Sequence, residues 1–310
     1  MVKLLYELAR AGRPEQTLKN LVLFAALIFS GNLFVTVKFL TVVKSVLIFS
    51  LLASSKYIFN DIVDLEADQL HPLKKQRPIA SGSLPVPIAL FASIAGCFTS
   101  LYLAANLSFF FFLACLAYFL LQLAYNFLLK NIVILDVLAI AGGFILRVYA
   151  GAFVIDVHLS VWFLLCIISL SLFLAVGKRR AELAVLTSKK ALHPRKTLAF
   201  YKPQLLDSYL TMFGNAAWLS YALFTFFAPP PPVAQRSSLW AQLPLTLAGV
   251  NKWLMLTIPI VIFGIMRYMQ IIYAGAKAEA PEKVLLSDKP LLAAVIFWGV
   301  MVVLIIYGVR

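Results

Sequence analysis

Residues 39–68 read FLTVVKSVLIFSLLASSKYIF-NDIVDLEAD, an apolar run long enough to span a membrane that ends in a group of carboxylates. On a helix, offsets of three and seven residues place Asp61, Asp64 and Asp68 on one face, and Tyr57 joins them four residues earlier. Carboxylates this close repel one another, so a divalent cation such as Mg²⁺ that joins them to a phosphorylated substrate would explain the spacing. The stretch therefore predicts a membrane helix with a metal-dependent site for a diphosphate at one end.

The composition places the whole chain in a membrane. Hydrophobic residues make up 62% of the 310 residues and charged residues 13%, and the mean hydropathy is +0.92, which excludes a water-soluble domain. Nine apolar runs approach the length that crosses about 30 Å of hydrocarbon. They lie near residues 18–36, 39–59, 86–104, 107–128, 134–155, 160–177, 207–227, 253–273 and 290–309. We predict an all-α polytopic membrane protein: one domain over 1–310, a bundle of about nine transmembrane helices around a cytoplasm-facing central cavity.

The positions of lysine and arginine predict the orientation. Most of these residues fall before the first run or in the segments after the second, fourth, sixth and eighth runs. By the positive-inside rule the N-terminus is cytoplasmic and the C-terminus is outside, in a plasma or inner membrane. The predicted cytoplasmic segments are 1–17, 60–85, 178–205 and 274–289. The net charge of +14 is spread over short loops, which favours lipid headgroups and phosphorylated substrates over nucleic acid.

Two further groups of polar residues border the apolar runs. The first comprises Tyr125, Lys130 and Asp136, followed within the next run by Arg147. An arginine at that depth is costly unless it is paired or lines a wet pocket. The second is Gly177-Lys178-Arg179-Arg180-Ala181-Glu182, three consecutive cations and a carboxylate. Lys130 and the three cations also have a simpler interpretation, as anchors at the membrane boundary.

Residues 54–85 closely resemble the first aspartate-rich motif of the UbiA-type intramembrane prenyltransferase superfamily, N-D-x-x-D-x-x-x-D followed by a basic loop with Arg77-Pro78. Most of the superfamily carries a second aspartate motif where this chain has Lys178 to Glu182. A basic cluster in that place is similar to the phosphoribosyltransferase branch of the superfamily. The resemblance extends over the full length and includes Arg13-Pro14 with Lys19-Asn20 before the first run.

The resemblance implies an enzyme, a pentosyltransferase that moves a 5-phosphoribosyl group from phosphoribosyl pyrophosphate to a decaprenyl-type polyprenyl phosphate. The product would be a precursor of cell-wall glycolipids of the arabinan type. It implies Mg²⁺ as cofactor, with Mn²⁺ as a substitute, held by Asp61, Asp64 and Asp68, and it makes Asn60, Asp61 and Asp64 the catalytic residues. The expected substrate-binding residues are Lys19, Asn20, Tyr57, Lys75, Arg77, Tyr125, Lys130, Asp136, Arg147, Lys178, Arg179, Arg180 and Glu182.

Two alternatives remain open at this point. An aromatic prenyltransferase with a polyprenyl diphosphate donor would share the fold and the first motif, and only the basic cluster at 178–180 argues against it. A transporter would use the carboxylates for a coupling cation, but it predicts charged residues near the midplane in both halves and an internal repeat. The sequence leaves open the chain length of the lipid acceptor and whether protomers associate into a homo-oligomer.

Overall fold

The computed structural model describes residues 2–70, 74–189, 200–228, 252–274 and 281–308. These residues form α-helices and short 3-10 helices and contain no strand. Within these described ranges, eight helical segments are long and apolar enough to cross a membrane. The α-helices are α1 (Val2–Ala11), α2 (Phe24–Phe29), α3 (Thr36–Val63), α4 (Leu65–Leu70), α5 (Val86–Leu107), α6 (Phe109–Phe127), α7 (Leu135–Val154), α8 (Val161–Lys189), α9 (Pro203–Phe227), α10 (Ile258–Tyr273), α11 (Pro281–Ser287) and α12 (Lys289–Tyr307). The 3-10 helices are Pro14–Leu23, Lys74–Gln76, Leu129–Asn131 and Trp253–Thr257. The all-helical membrane fold predicted from the sequence is confirmed.

Several helices begin where a proline fits the first turn. Proline occupies one of the first two positions of α5, α9, α10 and α12. Its missing N–H costs nothing there, because the first backbone amides of a helix have no acceptor within the helix. The α12 start is also capped by Asp288, whose carboxylate accepts a 2.9 Å hydrogen bond from the Leu291 amide.

The count of nine spans is not confirmed, because the run at 18–36 does not form one long helix among the described residues. The 3-10 helix Pro14–Leu23 continues into the short helix α2, and a turn with a positive φ at Gly31 follows. A 3-10 helix repeats every three residues, which brings Asn20 and Leu23 onto the same side, and these are its two buried residues. Run length alone does not distinguish a 3-10 helix from an α-helix.

The predicted cytoplasmic segments contain helical residues. The segment 178–205 was predicted to be a cytoplasmic loop, with the basic cluster at the end of the sixth span; α8 continues to Lys189, so the basic cluster is helical. The segment 60–85 contains the end of α3, the helix α4 and a 3-10 turn. Parts of the predicted loops, 71–73, 190–199 and 275–280, lie outside the described residues.

The helices pack in two compact units, which are described separately. The N-terminal unit comprises Met1–Leu128 with Leu146–Val157, and the C-terminal unit comprises Leu129–Ile145 with His158–Arg310. The division passes through α7. The prediction of one domain over 1–310 therefore stays a prediction.

Each unit has its own apolar core. In the N-terminal unit α3 packs on α5 and α6, and its core includes Leu27, Phe49, Leu52 and Phe111. In the C-terminal unit α8 packs along α9, and its core includes Phe173, Leu206, Leu210 and Ile272. The C-terminal core also includes Val176 and Ala181, which lie on either side of the basic cluster in α8.

Candidate active site

The acidic motif lies where α3 ends. The helix stops at Val63, Asp64 follows as its C-cap with φ −91° and ψ 11°, and α4 begins at Leu65. Backbone hydrogen bonds from Asp64 N to Asn60 O and from Asp68 N to Asp64 O, both 2.9 Å, carry the helical pattern across the break. Asp61 and Asp68 therefore still converge, and both are 2% exposed.

Arginine side chains neutralise these two buried carboxylates. Arg77 Nη1 donates a hydrogen bond to Asp61 Oδ1 at 3.1 Å and a second, shorter one to Asp68. Arg13 donates to the same oxygen of Asp61, and Lys74 Nζ lies 3.9 Å from Asp68 Oδ1. Burying an ion is costly unless a partner of opposite charge accompanies it, so these contacts are what permits two aspartates at this depth. The short distance from Arg77 to both aspartates makes it the centre of the cluster.

The third aspartate has a different environment. Asp64 is half-buried, and Asn60 Nδ2 donates to its Oδ2 at 3.1 Å. Two cations lie over the Tyr57 ring: Arg13 Cζ lies 5.1 Å and Lys56 Nζ 4.8 Å from its centre. Lys56 is only 8% exposed and was not singled out from the sequence.

The fit of a divalent cation to this motif rests on donor chemistry. Among the described residues no three His, Cys, Asp or Glu side chains are grouped closely enough to hold a metal ion. The oxygens of Asp61, Asp64, Asp68 and Asn60 are the hard donors that Mg²⁺ takes, and the arginines now satisfy the charge that such a cation would satisfy. The residues fit a divalent cation that shares the carboxylates with the arginines.

A second polar network in the N-terminal unit surrounds Arg147. Its Nε donates to Asn20 Oδ1 at 2.8 Å and its Nη2 to the Tyr118 hydroxyl at 3.0 Å, while Asn20 Nδ2 donates to Ser50 Oγ at 2.9 Å. The guanidinium also lies over the rings of Tyr118 and Phe49, at 4.7 and 5.5 Å. The sequence predicted that an arginine so deep would need partners, and these contacts supply them.

The C-terminal unit contains a buried ion cluster. Arg179 has no exposed surface, and its Nε lies 2.6 Å from Asp136 Oδ2, a carboxylate that is also fully buried. Its Nη1 contacts Glu182 Oε2 at 2.6 Å, and 18% of the Glu182 side chain is exposed. One arginine between two carboxylates leaves the trio with a net negative charge. Glu182 is the member of the trio with the largest exposed fraction.

Tyr201 holds this cluster to the segment before α7. Its hydroxyl donates to Asp136 Oδ1 at 2.8 Å and accepts from the Ile134 amide at 2.7 Å. Ile134 has a φ of +73°, a conformation that a β-branched residue adopts only when its surroundings impose it. Burial raises the pKa of the Tyr201 hydroxyl, and its hydrogen bond to the Asp136 carboxylate adds to that rise, so the phenol stays a neutral donor.

The neighbouring cations of the basic cluster have separate contacts. Arg180 Nε lies 2.6 Å from Asp207 Oδ1, and its guanidinium sits 5.4 Å from the centre of the Tyr273 ring. Lys178 is half-buried. The two arginines of the basic cluster, both predicted to bind substrate, thus make close ion pairs within the protein.

The remaining predicted substrate-binding residues lie near these networks in sequence. Lys130 is half-buried in the 3-10 turn Leu129–Asn131, and Tyr125 is half-buried in α6. Lys19 is half-buried in the 3-10 helix Pro14–Leu23, and Lys75 is exposed. A groove of about 230 Å³ between α9 and α10 contains none of the predicted site residues; Gly214, Trp218 and Met269 are among its lining residues.

Comparison with known proteins assigns the chain to a family. The model of the UbiA prenyltransferase family matches residues 21–288. The chain belongs to the UbiA prenyltransferase family, and it is a membrane-embedded transferase. Both features were predicted from the sequence and are confirmed.

Curated relatives narrow the comparison. The decaprenyl-phosphate phosphoribosyltransferase of Corynebacterium glutamicum is 34% identical over 302 residues, which cover 96% of this chain and 86% of the relative. The enzyme of the same name from Mycolicibacterium smegmatis is 33% identical over 299 residues, covering 94% and 89%. The basic cluster predicted a resemblance to the phosphoribosyltransferase branch, and both of these relatives are named as enzymes of that branch.

Solved structures support the fold. A UbiA homologue from Archaeoglobus fulgidus bound to GPP and Mg²⁺ superposes with a TM-score of 0.68 at 20% identity, over 96% of this chain and 99% of the other. A digeranylgeranylglyceryl phosphate synthase superposes with a TM-score of 0.60 at 17% identity, over 98% and 99%. These likenesses show the shared helical architecture.

Proposed function

We propose that this protein transfers the 5-phosphoribosyl group of phosphoribosyl pyrophosphate to a polyprenyl phosphate of the decaprenyl type. The observation that carries the proposal is the basic cluster Lys178, Arg179 and Arg180 in the C-terminal half of α8, where most of the superfamily is expected to have a second aspartate motif. A donor with a 5-phosphate in addition to its diphosphate needs more cationic partners than a prenyl diphosphate does. The names of the bacterial relatives support the same reaction.

The reaction exchanges one bond for another at C1 of the ribose. The bond from C1 to the diphosphate oxygen breaks, a bond from C1 to an oxygen of the lipid phosphate forms, and pyrophosphate leaves with both electrons of the broken bond. The attacking phosphate monoester is already ionised near pH 7, so the protein needs no strong general base. Its residues therefore act by positioning the two substrates and stabilising charge.

The acidic motif would serve the leaving group. Asp61, Asp64 and Asp68 would hold Mg²⁺, or Mn²⁺ in its place, and the cation when bound neutralises the charge that develops on pyrophosphate. Asn60 keeps the Asp64 carboxylate oriented through its 3.1 Å hydrogen bond. Arg13 and Arg77 hold Asp61 in place and supply positive charge beside the motif.

Two members of the basic cluster, Lys178 and Arg179, have different proposed roles. Lys178 is assigned to direct binding of a phosphate, with Lys19, Lys75 and Lys130 as further candidates. Arg179 is fully buried between Asp136 and Glu182, so we assign it to positioning Glu182, whose exposed part is suited to accept hydrogen bonds from ribose hydroxyls. Arg147 likewise positions Asn20 and Tyr118.

The decisive experiment uses the purified protein in detergent with Mg²⁺, decaprenyl phosphate and phosphoribosyl pyrophosphate. A lipid heavier by one phosphoribosyl unit, formed with stoichiometric pyrophosphate and lost on adding EDTA, is expected in the mass spectrum. Ribose 5-phosphate, which lacks the diphosphate, is the matched control donor and should give no product. Prenyl transfer from a polyprenyl diphosphate to an aromatic acceptor, without any phosphoribosyl product, would overturn the proposal in favour of an aromatic prenyltransferase.

A further inference from the structure

The N-terminal helix α1 has two apolar faces, of which the protein covers one. Leu4, Leu8 and Ala11 point inward and pack in a cluster with Ile58, Ile79, Leu84 and Ala89. On the opposite side Leu5 is 59% and Tyr6 is 65% exposed, and Ala9 between them is exposed too. Large apolar side chains grouped on an exposed helix face indicate that something outside the protein covers that face.

The position of α1 relative to the membrane spans follows from its inner contacts. Ile58 lies in the last turns of the span α3, and Ala89 lies in the first turn of the span α5. Both spans therefore end at the level of α1, which is the boundary between hydrocarbon and headgroups. The turn after α1 fixes this level, because Gly12 packs on Ser54 and Arg13 bonds to Asp61.

The charges on the outer side of α1 have one sign. Lys3 is exposed, and half of the Arg10 side chain is exposed although it contacts Glu7 at 3.5 Å. Glu7 itself is 8% exposed and accepts a 3.3 Å hydrogen bond from Ser83. At about 100° per residue Lys3 and Arg10 lie within about 20° of each other, at the Tyr6 edge of the apolar side formed by Leu5, Tyr6 and Ala9. This is the pattern of a helix that lies flat in an anionic lipid interface.

We propose that α1 is an in-plane membrane helix, with Leu5 and Tyr6 among the upper acyl chains and Lys3 and Arg10 at the phosphates of anionic lipids. A soluble partner or a second copy of the chain could also cover this apolar face. Neither would account for basic residues at the edge of the face at the level of the lipid headgroups. The proposal does not depend on the identity of the substrates.

The test is a depth measurement on the full-length protein in lipid nanodiscs. A nitroxide is attached at Leu5→Cys and, as a control, at Ala67→Cys, an exposed position on α4; Cys97 is replaced by alanine in both. At position 5 collisions with oxygen should exceed those with the water-soluble nickel chelate, at a depth of about 5–10 Å below the phosphates. At position 67 the nickel chelate should dominate.

Lipid charge tests the second half of the proposal. Phosphatidylglycerol should move the position 5 label deeper than phosphatidylcholine does, and Lys3→Gln should remove part of that shift. Equal nickel access at positions 5 and 67 would overturn the proposal in favour of a water-exposed face. Spin–spin broadening at position 5 would overturn it in favour of a second copy. Depth that is insensitive to both lipid charge and Lys3→Gln would also contradict it.

Discussion

Arg77 bonds to Asp61 and Asp68 through a single guanidinium nitrogen, so one cation ties the end of α3 to α4. The two carboxylates are 2% exposed and Arg77 retains 25% of its side-chain surface. Removal of Arg77 would leave only Arg13 beside Asp61 and Lys74 beside Asp68, so the buried carboxylates would lose part of their charge compensation, which is destabilising. A metal ion at the same carboxylates would restore that compensation.

Arg77→Gln is therefore expected to lower the midpoint of thermal unfolding in metal-free detergent by several degrees. Addition of Mg²⁺ should raise the midpoint of the variant more than that of the wild type, because binding to the folded state alone stabilises it. Differential scanning fluorimetry, with an EDTA-treated sample as the metal-free reference, measures both midpoints. An equal response of the two proteins to Mg²⁺ would contradict a cation site at Asp61 and Asp68.

Asp64 offers the cleaner test of catalysis. Asp61 carries two arginines, so its replacement would disturb the fold, whereas Asp64 is half-buried and bonded to Asn60. Asp64→Asn is expected to lower Mg²⁺-dependent turnover at least about a hundred-fold, the scale of losing one electrostatic stabiliser. The unfolding midpoint should change little.

The matched control is Glu66→Gln, an exposed carboxylate two residues away that lies off the face of the three aspartates. It should retain turnover within about two-fold of the wild type. If Asp64→Asn and Glu66→Gln have similar activity, the motif does not hold the catalytic cation.

The sequence predicted the membrane fold and the acidic motif because both depend on local patterns. Apolar run length identifies spans, and offsets of three and seven along a helix bring Asp61 and Asp68 together even across the break at Asp64. The first run is not confirmed as a span, because it forms a 3-10 helix followed by a short α-helix. Its buried Asn20 bonds to Arg147, more than a hundred residues away. Such a partner cannot be read from a local window.

The site residues that sequence reasoning missed are the hydrogen-bond and ion-pair partners of charged side chains. Tyr201 and Asp207 received no role, yet they contact Asp136 and Arg180. Arg13 was noted only as part of a motif. A buried charge predicts that a partner exists, but which residue supplies it depends on tertiary packing.

Close packing at Gly151 gives a prediction about the fold alone. A Cβ at this position of α7 would collide with the backbone carbonyl of Leu23 in the N-terminal unit, and backbone cannot move aside cheaply. Gly151→Ala is expected to lower the yield of folded protein sharply or to destabilise it by about 1–3 kcal/mol. Gly299→Ala in α12, where a Cβ would meet nothing within 4 Å, is the control.

The control should be neutral or stabilising by about 0.5–1 kcal/mol, since alanine favours a helix more than glycine does. Size-exclusion elution and thermal unfolding of the two variants measure the difference. Wild-type behaviour of Gly151→Ala would show that α7 and the 3-10 helix are not in close contact.

The basic cluster yields a contrast between adjacent residues. Arg179 is enclosed by Asp136 and Glu182, and Arg179→Gln should destabilise the fold by about 3–5 kcal/mol because Asp136 stays buried without its cation. Lys178 is half-buried, and Lys178→Gln should leave the unfolding midpoint within about two degrees of the wild type. It should instead raise the Michaelis constant for phosphoribosyl pyrophosphate about ten-fold, as loss of one charged contact to a phosphate would.

A double substitution distinguishes the role of Arg179 in positioning Glu182 from its role in compensating the charge of Asp136. Asp136→Asn combined with Arg179→Gln removes both members of the pair, so it should recover part of the stability that Arg179→Gln loses. Its Michaelis constant for the donor should be raised, because Glu182 then loses its 2.6 Å contact to Arg179. Normal donor kinetics in the double variant would assign Arg179 and Asp136 to folding alone, and unchanged donor kinetics in Lys178→Gln would make that lysine a boundary anchor.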